Sequence, residues 1–153
     1  MRWLLAVVLG LFIGFTSVSS PPALAETSAV SPTEDISDLR KQAFELTRKG
    51  QFDLAEVMWT RLVEVLPDEP AVWSNRGNVR VSQNKIEAAI HDYDRAIALD
   101  PLQANPYLNR GAAYEAVGDW QEAIDDYNRL LKLSPNDPAA YNNRGNAKGG
   151  QGD

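Results

Sequence analysis

Three glycines, Gly77, Gly111 and Gly145, and three prolines, Pro67, Pro101 and Pro135, recur every 34 residues along the chain. Two independent columns with one period demand a repeat architecture. A unit of this length cannot bury a hydrophobic face by itself and does so only against its neighbour. A third column, Gly50, Asn84, Gly118 and Gly152, keeps the same step. Asn in place of Gly there predicts a left-handed backbone turn, since those two residues tolerate positive φ best. Aromatic columns (Trp59, Tyr93, Tyr127 and Trp73, Tyr107, Tyr141) and an alanine column (Ala55, Ala89, Ala123) share the period.

Within each copy the apolar residues fall at steps of three and four. Phe52, Ala55, Trp59, Leu62 and Val63 form one such set, Ile86, Ala89, Tyr93, Ala96 and Ile97 the next, and Trp120, Ala123, Ile124, Tyr127, Leu130 and Leu131 the third. Each set lies on one helical face, so each copy reads as two amphipathic helices joined at the Gly/Asn column and closed by the Pro column. The small residues allow the paired helices to approach closely, and the aromatics fill the space beside them as core. Asn105-Pro106 and Asp137-Pro138 place a capping side chain before a first-turn proline and predict helix starts. Ser31-Pro32-Thr33-Glu34 has capping-box spacing and predicts a first helix starting near Pro32.

These residues resemble the tetratricopeptide repeat. The resemblance covers Ile36 to Asp153, as three copies (36–69, 70–103, 104–137) and a partial fourth (138–153), in a domain spanning 32–153. It implies an all-α solenoid of helix–turn–helix repeats in a right-handed superhelix, acting as a non-catalytic interaction module that holds a protein or extended peptide in its concave groove. The first copy is the loosest, with Ala43 for glycine and Leu39 for the aromatic. Pro22-Ala23-Leu24-Ala25-Glu26, the Asn-Arg-Gly triplets and Gly118-Asp119-Trp120 followed by Glu122-Ala123-Ile124 are similar to small exported proteins of this family in the cyanobacterial periplasm, thylakoid lumen and chloroplast lumen. That likeness implies a role in assembling an exported or photosynthetic complex.

The N-terminus fits export. Arg2, the uncharged run Trp3 to Phe15, and Ala23 and Ala25 before Glu26 have the three-part layout of a signal peptide over residues 1–25, followed by a flexible leader, 26–31. The run is shorter than the roughly 20 residues a spanning helix needs, so no stable membrane span is expected after cleavage. The expected location is periplasm or thylakoid lumen. Removal of Arg2 with no acid leaves a mature chain more acidic than the net charge of −6 for the whole 153 residues. Such a charge argues against nucleic acid as a partner. With no cysteine and only His91, thiolate metal sites, cysteine nucleophiles and most imidazole-based catalysis drop out, and neither cofactor nor metal is expected.

The copies serve as an internal comparison. Arg76, Arg110 and Arg144 precede the first-helix glycine, whereas the first copy has Gln42; Asp92 and Asp126 precede the second-helix aromatic, whereas the first copy has Met58. Arginine and aspartate appear and disappear together, which predicts structural ion pairs between the two helices. The register is open: within a copy (Arg76 with Asp92, Arg110 with Asp126) or between neighbours (Arg110 with Asp92, Arg144 with Asp126). Asn75, Asn109 and Asn143 stand one residue earlier, and Asn78, Ala112 and Asn146 three residues further along the same face. The resemblance places this face in the concave groove, so Asn75, Asn78, Asn109, Asn143 and Asn146 are the candidate peptide-binding residues. An amide both donates and accepts, as a peptide main chain requires.

Asn78 and Asn109 also match two asparagines of the carboxylate clamp by which some members of this family hold chaperone C-termini. Ser74, Ala139 and Asn143 stand where that clamp has lysines and an arginine, which removes its charge-assisted bonds. Glu87, Asp94, Glu122 and Asp125 read as an outward solvated face. No nucleophile motif or phosphate loop is present. The pattern runs unbroken to Gly152-Asp153, where a further second helix is due, so a truncated solenoid is one expectation. Two others are a subunit docking by its convex face or its open C-terminal repeat, and the interaction region of a longer protein. Oligomeric state is not encoded.

Overall fold

The computed structural model describes residues 35–152, all within the unit Pro32–Asp153. The expected signal peptide, the leader and Asp153 lie outside the described residues. Seven helices occupy the described chain: α1 (Ile36–Arg48), α2 (Phe52–Val65), α3 (Pro70–Ser82), α4 (Ile86–Leu99), α5 (Ala104–Val117), α6 (Trp120–Leu133) and α7 (Pro138–Gln151). Each packs on its neighbours in sequence, and α3 also touches α5, as α5 touches α7. The first helices of successive copies therefore form one wall.

All four residues of the turn column adopt positive φ: Gly50 72°, Asn84 60°, Gly118 84° and Gly152 94°. Two helix starts differ from expectation. Asp35 caps α1, its side chain accepting from Ser37 N at 2.9 Å, so the helix begins at Ile36 rather than near Pro32; the expected capping box, Ser31 to Glu34, itself lies outside the described residues. α5 starts at Ala104, with Gln103 rather than Asn105 in the cap position. The repeat explains this: Ala104 lies 34 residues from both Pro70 and Pro138, the starts of α3 and α7. Pro106 then occupies the third position, where its missing N–H costs nothing, and its ring fills the buried slot held by Val72 and Ala140 in the adjacent copies. At Asp137 the expectation holds, for its carboxylate accepts from Ala140 N at 3.0 Å.

The core is a succession of clusters between helices. Leu39, Ala43, Ala55, Trp59, Leu62, Val72 and Val79 make the first; Ile86, Ala89, Tyr93 and Ala113 the second; Ala123, Ile124, Tyr127 and Ala147 the third. Burying each large apolar side chain contributes about 1.5–3 kcal/mol. A Cβ at Gly77 would lie 2.7 Å from Tyr93 Cε1, and one at Gly111 2.7 Å from Tyr127 Cε1, so only glycine admits these rings.

The first copy, without the Arg–Asp pair, is fastened differently. Arg40 on α1 hydrogen-bonds Glu69 ahead of α3, and Trp59 Nε1 donates to Thr47 Oγ1 at 3.1 Å. The Arg40 bond holds the Glu69 carboxyl below its ordinary value of 4.5. A carboxyl depressed in the folded state stabilises the fold above its unfolded pKa and loses that contribution as pH falls through the folded pKa. Glu69→Gln is accordingly expected to flatten the decline of thermal stability below about pH 4.5. Melting curves of both proteins between pH 3 and 7 measure it, and the carboxylate's partial exposure keeps the effect under ~1 kcal/mol.

Candidate partner-binding groove

Arg76 and Arg110 each lie between two second helices. Arg76 donates from Nε and Nη2 to the Asp92 carboxylate at 3.0 and 2.7 Å, and Arg110 does the same to Asp126 at 2.9 and 2.6 Å. The bidentate register is therefore within a copy. Nη1 points back to the preceding copy: Arg76 reaches Thr60 Oγ1 at 3.4 Å, Arg110 reaches Asp94 Oδ1 at 2.5 Å, and Arg144 reaches Asn128 Oδ1 at 2.8 Å. The neighbour contact thus falls two residues beyond the aspartates expected for it. Arg144, expected in an ion pair, meets an amide oxygen among the described residues. Asp94, expected on a solvated face, is half-exposed but paired.

Arg80 was invisible to the repeat comparison because it occurs in one copy alone, with Tyr114 and Lys148 at the matching positions. It donates from Nη1 to Asp92 Oδ2 and from Nε to Glu56 Oε1, both at 2.9 Å. Asp92 is fully buried under two guanidinium groups. Burial alone would lower the pKa of Arg110, but the bonds and charge of Asp126 and Asp94 outweigh it and raise the pKa. Arg76, Arg80 and Arg110 are structural bolts whose Nε edges are each taken by a carboxylate.

Along the wall formed by α3 and α5, Asn75, Asn78 and Asn109 come together in a cleft of about 280 Å³ shared with Ser74, Gln103 and Asn105. A second hollow of about 180 Å³ continues it past Asn78 and Asn109 to Ala112 and Tyr93. Asn78 Oδ1 accepts from Tyr93 Oη and from Asn109 Nδ2, each at 2.8 Å. This orients both amides. Asn78 keeps its Nδ2 protons to donate and Asn109 keeps its Oδ1 to accept, so adjacent groups offer opposite hydrogen-bonding character to the cleft.

The other two candidates lie elsewhere. In the next copy Ala112 replaces Asn78, and Tyr127 Oη donates to Glu115 Oε2 at 2.7 Å. Asn143 lies beside the Tyr127 phenol, and Asn146 is exposed on α7 outside the cleft. Burial first, and the Glu115 bond second, push the Tyr127 phenol well above its ordinary value of 10.0. The sequence groups all five asparagines by their periodicity, but the Asn78 to Ala112 exchange interrupts the ladder. Gln103 and Asn105 of the cleft carry no periodic signal.

The family model described as TPR repeat matches residues 77–118 and 116–152. The folded domain is a tetratricopeptide-repeat solenoid. The first TPR of Spaghetti (RPAP3), bound to the HSP90 peptide SRMEEVD, superposes with a TM-score of 0.74 at 27% identity, over 76% of this chain and 93% of that one. The first TPR domain of human RPAP3 gives 0.71 at 28% identity, over 74% and 90%. MamA shares the fold with a TM-score of 0.74 at 24% identity, over 77% of this chain and 69% of that one. A TPR repeat-containing thioredoxin of Arabidopsis thaliana, TTL4, is 26% identical over 81 residues, 53% of this chain and 12% of that protein's length. The TPR solenoid described here contains no cysteine. As a member of a repeat family of interaction scaffolds, with peptide-bound structural relatives, it is a protein-interaction module.

Proposed function

We propose that this solenoid holds an internal, extended segment of a partner protein along the α3–α5 cleft, reading its main chain rather than a terminal carboxylate. The observation that carries the reading is the oriented amide set: Asn78 offers donors, Asn109 an acceptor, and Asn75 both, in one cleft of about 280 Å³ whose lining includes no lysine or arginine. A peptide backbone presents donors and acceptors in alternation and is matched by such a row. A C-terminal carboxylate needs cations, and Ser74, Ala139 and Asn143 supply none. The peptide-bound relative supports a peptide as the class of ligand. The signal-like segment Arg2 to Ala25 supports an exported setting, and with it a part in assembling an exported complex.

The peptide SRMEEVD, in free-acid and C-terminally amidated forms, tests the mode of binding. Both forms are expected to bind with the same affinity within a factor of ~2; a preference of ~10-fold or more for the free acid would establish a carboxylate clamp instead. Crosslinking with mass spectrometry in the exported compartment then identifies the natural partner. Asn75→Ala with Asn109→Ala is expected to reduce its capture roughly tenfold, since two net hydrogen bonds are lost. Undiminished capture would move the interface to the convex face.

A further inference from the structure

The amide cleft passes at Asn78 and Asn109 into the hollow of about 180 Å³, and these two side chains line both. Beyond them the walls change character. They are Val81 of α3, Ile86 and Tyr93 of α4, and Ala112, Ala113 and Ala116 of α5, none of which carries a charge. Tyr93 adds no free polar group, because its hydroxyl donates to Asn78 Oδ1 at 2.8 Å. Burial pushes its phenol far above the ordinary value of 10.0, which keeps it neutral.

The hollow is specific to this junction. Ala112 and Ala116 stand where α3 has Asn78 and Ser82 and where α1 has Phe44 and Arg48, so the space that longer side chains fill in other copies is left open here. Both alanines are exposed, and the space opens onto the groove. Ile86 and Tyr93, 9% and 1% exposed, close its floor, while Val81 stands half-exposed at its rim. A small-molecule site needs roughly 300–1,000 Å³. This one has the size of a single side chain.

We propose that this hollow is a side-chain pocket, which selects a partner segment carrying one leucine, isoleucine or methionine beside the stretch of main chain that the amides hold. The assignment rests on the groove reading above and adds to it the class of residue recognised. Asn78 Nδ2 and Asn109 Oδ1 lie at the mouth, and an extended chain bonded there turns every second side chain toward the floor. A charged group entering would lose its water against Val81, Ile86 and Tyr93 and meet no opposite charge among these walls. An alanine would leave most of the apolar wall without contacts. A branched or unbranched aliphatic chain covers it, and the burial of its methyl and methylene groups is the source of the preference.

The probe is a positional-scanning library of nonapeptides, acetylated and amidated at their ends, bound to the full chain. One position is expected to favour leucine, isoleucine or methionine over alanine by ~10-fold or more. Two variants separate the halves of the groove. Asn75→Ala, which lines the amide cleft alone, is expected to weaken every member alike and leave the preference intact. Ala116→Leu, which lines the hollow alone, is expected to abolish the preference and leave alanine-bearing members within a factor of ~2. Ala116 is exposed and leucine is a good helix former, so that variant folds. Val81→Ala widens the rim and is expected to move the preference toward phenylalanine. Binding without an aliphatic preference at any position, or a preference unchanged by Ala116→Leu or by Val81→Ala, would overturn the pocket while the amide reading stands. Failure of every member to bind would overturn both.

Discussion

Asp92→Ala is expected to lower the unfolding free energy by about 3–5 kcal/mol, the largest loss of any single side chain outside the apolar core. Asp92 is fully buried, and its two oxygens accept three hydrogen bonds, two from Arg76 and one from Arg80. Alanine leaves two guanidinium groups facing a space that water cannot fill well. Arg80 retains Glu56, but Arg76 keeps only a long contact to Thr60. The equivalent Asp126→Ala is expected to cost less, about 2 kcal/mol, because Arg110 keeps Asp94 at 2.5 Å. Urea unfolding followed by far-ultraviolet circular dichroism measures both. Equal losses at the two sites would show that the buried charge, rather than its remaining partners, sets the cost. Arg76→Met with Asp92→Leu, which removes both charges of the pair, is expected to recover part of the loss.

Gly77→Ala and Gly145→Ala are expected to change stability in opposite directions although they occupy one column of the repeat. At Gly77 the new methyl carbon would lie 2.7 Å from Tyr93 Cε1, and the ring cannot retreat because it is buried and tied to Asn78. Overpacking of this kind costs about 1–3 kcal/mol even after the gain in helix propensity. At Gly145 the methyl group meets nothing, so the propensity term stands alone and stabilises by about 0.5–1 kcal/mol. Thermal melts of the two variants decide the matter by sign alone. Destabilisation of both would mean that the glycine column is required by the helix backbone itself and not by the tyrosine it admits.

This contrast separates what the repeat pattern encodes from what a residue does in its place. The 34-residue period predicts seven helices, the left-handed turns at Gly50, Asn84, Gly118 and Gly152, and the pairing of arginine with aspartate, since each rests on residues that recur and on local backbone physics. Helix starts were less legible. Asn105-Pro106 reads as a cap and first turn, yet the packing of α5 against its neighbours sets the start at Ala104, and Pro106 is used for its bulk in a buried slot. Local capping energies of ~1 kcal/mol yield to a register that buries a whole helix face.

The interaction surfaces divide in the same way. That asparagines line the first-helix wall follows from their spacing. That Asn75, Asn78 and Asn109 share one cleft, while Asn143 and Asn146 stand apart from it, depends on a single exchange of Asn for Ala at position 112 and on the Asn78–Asn109 and Asn78–Tyr93 hydrogen bonds, which no spacing rule contains. The register of the arginines was likewise open until the fold placed Arg76 and Arg110 each between two second helices, with one edge of the guanidinium forward and one nitrogen back. The sequence by itself determined the repeat, its helices and which residue types would meet, because periodicity and backbone preference act over a few residues. The tertiary structure alone decided which partners those residues took, because contacts across helices depend on orientation that a one-dimensional pattern does not carry.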